Sequence, residues 1–237
     1  MIICIDSGNS RIKWGVHDGN RWLGQGALSH VDVAQLYPLL APWGDPEKVM
    51  LANVAGVVAA NAIQQNLAAW SNVWCEVRSE KMSCGVTSSY QNPNQLGVDR
   101  WCALIGARSL IRSSCVVVMA GTATTIDSLD ETGCFLGGFI LPGDELMRRA
   151  LARETAGLPF ANGLYAEFPK CTDDAIVSGA IEAQAGAIER AVRRLGGAAQ
   201  CLVSGGNAEA IAKHCVVPVQ IINNLPLEGL RRMAAES

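Results

Sequence analysis

The sequence has no C-x-x-C pair and no H-E-x-x-H, and its three histidines, His17, His30 and His214, are scattered. The common zinc patterns are therefore missing. Nine cysteines are present, Cys4, Cys75, Cys84, Cys102, Cys115, Cys134, Cys171, Cys201 and Cys215. Their number is odd and most lie inside apolar runs, which reads as small buried side chains in a reducing cytosol rather than a disulfide framework. Runs of Lys and Arg are absent and the net charge is −3, so a nucleic acid or an anionic membrane held by electrostatics is not expected. No basic segment precedes the apolar start, so a signal peptide is not expected either. The stretch from Val49 to Cys75 lacks any charge but carries Asn53, Asn61, Gln64, Gln65, Asn66, Ser71 and Asn72. That many amides are costly in a bilayer core. The stretch reads as a buried strand followed by an amphipathic helix, in a soluble, cytoplasmic protein. The phosphate-binding patterns G-x-x-x-x-G-K-[ST] and G-x-G-x-x-G do not occur.

What is there is apolar. Hydrophobic residues make up 49% of the 237 and charged residues 17%, the balance of a well-buried globule with one large or two small domains. Short β-branched runs at 2–5, 11–16 and 22–28 are separated by Ser-Gly-Asn-Ser and His-Asp-Gly-Asn turns. Helical spacing follows at 31–40, 61–70 and 100–111, with strands at "KVMLANVA" and "VWCEVR" and a loop at "TSSYQNPNQLGVD". The segment "SSCVVVMAGTATTIDSLDETGCFLGGFILPG" then repeats the opening logic of strand, small-residue turn, strand, turn, strand. Helices are expected at about 143–152, 175–195 and 208–214, with strands at "CLVSGGN" and "VQII". This pattern predicts an α/β protein of two halves with mixed sheets and an inter-domain cleft, divided as 1–114 and 115–237.

Three small-residue turns each follow an apolar strand: Asp6-Ser7-Gly8-Asn9-Ser10, Gly121-Thr122-Ala123-Thr124-Thr125 and Ser204-Gly205-Gly206-Asn207. Small side chains let backbone N–H groups approach phosphate oxygens, although ordinary hairpins share this look. Asp6 could orient Mg²⁺ or simply cap its turn, and Lys13 could neutralise phosphate charge or sit in solvent. Asp127 closes "TTID" as Asp6 closes its own strand and is a second metal-side candidate. In "LGVDRW", Gly97 permits a close turn. Asp99 either caps a helix or accepts the proton of an attacking hydroxyl. Arg100 could fork onto a substrate carboxylate, and Tyr90 could line a small-molecule pocket. Gly137, Gly138 and Gly143 of "GGFILPG" mark either close backbone approach or simple packing.

Taken in order, "DSGNSRIKWG", "YQNPNQLGVDRW", "GTATTID", "GGFILPG", "VSGGN" and "NNLPLEGL" resemble the type III pantothenate kinases of the acetate and sugar kinase/Hsp70/actin superfamily, over nearly the whole chain. The resemblance implies two actin-like (ribonuclease H-like) domains and ATP-dependent phosphorylation of pantothenate. It further implies that Asp6, Ser7, Gly8, Asn9, Ser10, Arg11, Ile12 and Lys13 form a first nucleotide-binding segment, with Thr122 in a second and Mg²⁺ bound with the ATP. Tyr90, Gly97, Val98, Asp99, Arg100 and Thr172 would hold pantothenate, Asp99 as proton acceptor, in a homodimer. The family also implies a monovalent cation, K⁺ or NH₄⁺, on an acidic residue three positions before the threonine of G-T-A. Here that position is Met119, a poor ligand for such ions. Two other readings remain at this level: a kinase for another small hydroxylated substrate, and a nucleotide-binding regulator of the same family. Retention of Asp6, Lys13, Asp99 and Arg100 speaks against the regulator. The helix at 175–195, rich in Ala and Gly, is either an interface element or core.

Overall fold

The computed structural model describes residues 1–196 and 198–236. In chain order its elements are β1 (Ile2–Ser7), β2 (Ile12–His17), β3 (Trp22–Leu28), α1 (Leu36–Leu40), β4 (Lys48–Asn53), α2 (Val57–Asn66), β5 (Trp74–Glu76), β6 (Met82–Ser83), β7 (Val86–Ser88) and α3 (Val98–Leu110). There follow β8 (Cys115–Ala120), β9 (Ala123–Leu129), β10 (Cys134–Pro142), α4 (Asp144–Glu154), α5 (Thr172–Arg194), β11 (Gln200–Ser204), α6 (Ala208–Ala212), β12 (Val219–Ile221) and α7 (Leu225–Glu236). They divide into two units, Met1–Arg112 together with the described residues from Asn224 onward, and Ser113–Asn223.

In the first unit the strands run β3-β2-β1-β4-β5, with β1, β2 and β3 antiparallel and β4 and β5 parallel to β1. Side chains alternate across a sheet. Ile3, Ile5, Ile12, Trp14 and Val16 therefore share one face, packed with Leu36 and Leu40 of α1 and Ala60 and Ile63 of α2. Cys4, Met50 and Ala52 take the other face, against Cys102 of α3 and Leu227, Leu230 and Ala234 of α7. Asp6 follows Cys4 by two and so points to the α3 side.

The second unit repeats this plan strand for strand. Its order is β10-β9-β8-β11-β12, with β8, β9 and β10 antiparallel and β11 and β12 parallel to β8. Val116, Val118, Ala120 and Ile126 pack on Ile188, Ala191 and Val192 of α5 and on Ala208 and Ile211 of α6. The duplication read from the turn pattern is thus a duplication of topology.

Several expectations change. The second unit does not run to the chain's end: α7 returns to the first unit, where Lys48 Nζ donates to the Ala234 carbonyl at 2.9 Å and Asn224 Nδ2 to Gln25 Oε1 at 2.7 Å. The helical spacing at 31–40 resolves into a 3-10 segment, His30–Gln35, before the short α1. Asp127 lies inside β9, paired with Val117 and Gly138, and does not close a strand as Asp6 nearly does. No helix among the described residues is long and apolar enough to cross a membrane.

Candidate active site

The β1–β2 hairpin sets Asp6 directly opposite Lys13 and Ser7 opposite Ile12. Gly8 N–H donates to the Arg11 carbonyl at 3.1 Å and closes the turn. His30 Nε2 donates to the Gly8 carbonyl at 2.7 Å, a brace from 22 residues away that no local pattern announces. Gly8 is half-buried, and Asn9, Ser10 and Arg11 are exposed. Ile12 is wholly buried in the core, so only its backbone is offered to a ligand.

Asp6 is 6% exposed, and its Oδ1 has no hydrogen-bond partner among the described residues. Burial pushes its carboxyl up to about 6; the Lys13 ammonium opposes this, and the negative charge of Asp99 adds to it. Asp99 stands one helical turn before Cys102, the α3 residue that meets the Asp6 face of the sheet. Two carboxylates thus converge, one carrying an orphaned oxygen. Hard oxygen donors of this kind fit Mg²⁺, which prefers one or two carboxylates plus phosphate and water to a full protein cage. Among the described residues no group of three or more His, Cys, Asp or Glu could hold a metal.

Asp99 does not cap α3. The N-cap is Gly97, and Asp99 sits in the first turn with no hydrogen bond or ion pair among the described residues. Its carboxylate folds back over Gly97, where an added Cβ would meet Asp99 Oδ1 at 2.6 Å. A side chain at Gly97 would push the acid out of this position, a small shift for the free end of a side chain. Arg100 is 4% exposed; its Nη1 donates to the Tyr90 hydroxyl at 3.1 Å, and its guanidinium lies 5.9 Å from the Tyr90 ring centroid. Val98 packs partly against the α3–α7 core. The loop leading to Gly97 is pinned by Ser79, a buried residue whose Oγ donates to the Leu96 carbonyl at 2.8 Å. The first unit therefore gathers Asp6, Lys13, Asp99, Arg100 and Tyr90.

In the second unit the Gly121–Thr122 turn is fixed by its neighbours. Gly121 N–H donates to the Ala123 carbonyl at 3.1 Å, Gly143 N–H to the Thr122 carbonyl at 2.9 Å, and Asn207 N–H to the Ala120 carbonyl at 3.1 Å. A Cβ on Gly143 would stand 2.6 Å from the Thr122 carbonyl oxygen. One on Gly205, itself at φ +108, would stand 2.7 Å from the Ala120 carbonyl carbon. The glycines of "LPG" and "SGGN" thus serve close approach to this turn, which leaves the Thr122 side chain exposed.

Met119 occupies in β8 the place Asp6 holds in β1: each is next to last in its strand, and Met119 faces Thr125 as Asp6 faces Lys13. Thr125 Oγ1 is buried without a hydrogen-bond partner among the described residues. Asp127 is fully buried. Thr172 opens α5 and lines a cavity of about 720 Å³ with Pro142, Met147, Leu151, Leu158 and Ile176.

A family model described as type III pantothenate kinase matches residues 2–194. A protein of Dechloromonas aromatica (strain RCB) named type III pantothenate kinase is 63% identical over 238 residues, with 100% of both chains covered. Among solved structures, a Campylobacter jejuni protein described as a Baf family transcriptional activator matches with a TM-score of 0.63 at 22% identity, over 99% of this chain and 98% of that one. A glucokinase from an Antarctic psychrotroph matches with a TM-score of 0.52 at 14% identity, over 100% and 99%. At such identities the likeness is one of fold: the two-domain, actin-like α/β architecture.

Proposed function

The chain belongs to the type III pantothenate kinase family, and from that premise we propose that it transfers the γ-phosphoryl group of ATP to the primary hydroxyl of pantothenate, the first step towards coenzyme A. The observation that carries this reading is the pairing of Asp6, buried with an orphaned oxygen, with Asp99, unpaired at the start of α3. Mg²⁺, bound with ATP, would neutralise charge on the phosphates, and Asp6 would hold it directly or through water. Lys13 stands opposite Asp6 to face the transferring group, and the backbone of residues 7–12 receives phosphate oxygens. Thr122 contacts the nucleotide from the second turn. Asp99 accepts the hydroxyl proton as oxygen attacks phosphorus, and Gly97 leaves the room its carboxylate needs. Arg100, held by Tyr90, binds the pantothenate carboxylate.

Asp99→Asn is expected to fold with an unchanged melting profile and to lose about 10²–10⁴-fold in kcat. Near-normal turnover would remove Asp99 from the role. A panel of small hydroxylated substrates separates pantothenate from other acceptors, because fold alone does not choose between them.

For a monovalent cation the residues do not fit well. The place of the family's acidic ligand holds a thioether, and the nearby orphan is a single hydroxyl, Thr125 Oγ1. Dependence on K⁺ or NH₄⁺ is accordingly weakened or lost. Rates in Na⁺- and NH₄⁺-free buffer should be alike with and without K⁺, and a sharp requirement would refute this. The homodimer is proposed to use the α4–α5 face. No residue of α4 is buried, Leu146 and Leu151 are exposed on it, and Phe160, Leu164 and Phe168 are exposed in the segment that follows. Magnesium dependence and a cytoplasmic location belong to the same reading.

A further inference from the structure

The inner face of α5 carries an apolar stripe interrupted by an amide. Ile176, Ala180, Ile188 and Val192 repeat at helical spacing, and Gln184 stands in the middle of them, 0% exposed. An amide in such a place costs free energy unless both its ends are hydrogen-bonded. Both are. Gln184 Nε2 donates to the Ala180 carbonyl at 2.9 Å, and Gln184 Oε1 accepts from Thr124 Oγ1 at 2.5 Å. The orientation is not free to reverse. The Ala180 carbonyl can only accept, so it fixes the NH₂ end, and the oxygen must then face Thr124.

Thr124 is the second residue of β9 and is also wholly buried. It pairs with Ala120 on one side, the last residue before the Gly121–Thr122 turn, and with Leu141 on the other, two residues before the Gly143 junction that braces it. The Gln184–Thr124 bond therefore ties to α5 a strand residue that pairs with both supports of the turn. A leucine or methionine in the stripe would pack as well and would leave the start of β9 without this anchor.

We propose that Gln184 is a positioning residue for ATP, acting through Thr124 to hold the Gly121–Thr122 turn where Thr122 meets the nucleotide. The proposal rests on the reading of that turn as part of the ATP site. Removing a contact of this kind should weaken ATP binding and leave pantothenate binding alone.

The test must separate position from stability. Thr124→Val or Gln184→Met alone leaves a buried polar atom unpaired and is expected to lower Tm. The double variant Thr124→Val/Gln184→Met replaces both partners with apolar groups of similar size and should recover much of that loss. The expected result is a KM for ATP raised about fivefold or more in the double variant, with KM for pantothenate near that of the wild type. Thr124→Ser, which keeps the hydroxyl, should retain the wild-type KM for ATP. If the double variant recovers its Tm and its KM for ATP together, the bond is structural only and the proposal is overturned. Thr122→Ala, assayed alongside, distinguishes the two levels. An unchanged KM for ATP in Thr122→Ala overturns both the turn's role and that of Gln184. A raised value there, with a normal one in the double variant, overturns the role of Gln184 alone.

Discussion

The Asp6 carboxyl is raised to about 6 chiefly by burial, against the pull of Lys13. A folded value above the unfolded one means that the native state binds the extra proton between about pH 4 and 6, so stability falls as pH rises through that window. Above it, the protein carries a buried charge that the Lys13 ammonium offsets in part. Asp6→Asn is therefore expected to raise Tm by a few degrees at pH 7.5 in metal-free protein, with the gap closing towards pH 4; about 1 kcal/mol moves a protein of this size by roughly 2–4 °C. Activity should be lost in the same variant. A Tm at or below the wild-type value at pH 7.5 would show that Lys13 already offsets the charge. Asp6 and Asp99 could be singled out in the sequence because each stands beside its own turn glycine, within a few residues. His30, Ser79 and Gln184 could not be found that way, because each acts on a segment distant in the chain. The one local sign for Gln184 is a polar residue inside an apolar stripe.

At the scale of elements, the contact between α3 and α7 depends on two glycines. A Cβ on Gly229 would stand 2.8 Å from Cys102 Cα, and one on Gly106 would stand 3.1 Å from Gly229 N. Each helix thus presents bare backbone to the other. Gly→Ala inside a helix ordinarily stabilises by roughly 0.5–1 kcal/mol. Gly186 of α5, exposed and with no atom within 4 Å of an added Cβ, should follow that rule. Gly229→Ala should have the opposite sign, because overpacking costs about 1–3 kcal/mol and the obstacle is main chain. Urea denaturation of the two variants checks the contrast, and a stabilised Gly229→Ala would contradict the packing. The same glycine, with Pro226 close before it, conceals α7 in the sequence, where both residues read as helix breakers. In the fold the proline sits in the first turn, where its missing N–H does no harm, and the glycine marks the crossing.

For the whole molecule, the repeated order of turns was legible and the matching strand orders follow from it: each half opens with three antiparallel strands that local turn chemistry specifies. The crossing between units falls at Arg112/Ser113, close to the serine pair where composition shifts. The return of α7 was not legible, because its partners are Cys4, Met50 and Cys102, far back in the chain. A chain ending at Asn223 should consequently uncover the part of that sheet face on which α7 packs and fail to give a cooperative melt for the first unit, while the Ser113–Asn223 unit keeps its secondary structure. Limited proteolysis with circular dichroism reads both outcomes. Full protease resistance of the first unit would show that α7 is dispensable.

The place of α7 also orders events during synthesis. The strands of the first sheet leave the ribosome before Ser113–Asn223, but α7, which shares with α3 the cover over Cys4 and Met50, is translated after it. The Ser113–Asn223 segment emerges whole before α7 does, and domains generally fold as units as they emerge. The second unit can thus condense while the first still waits for α7, and a chaperone that shields exposed strands during that wait should raise the yield of native enzyme.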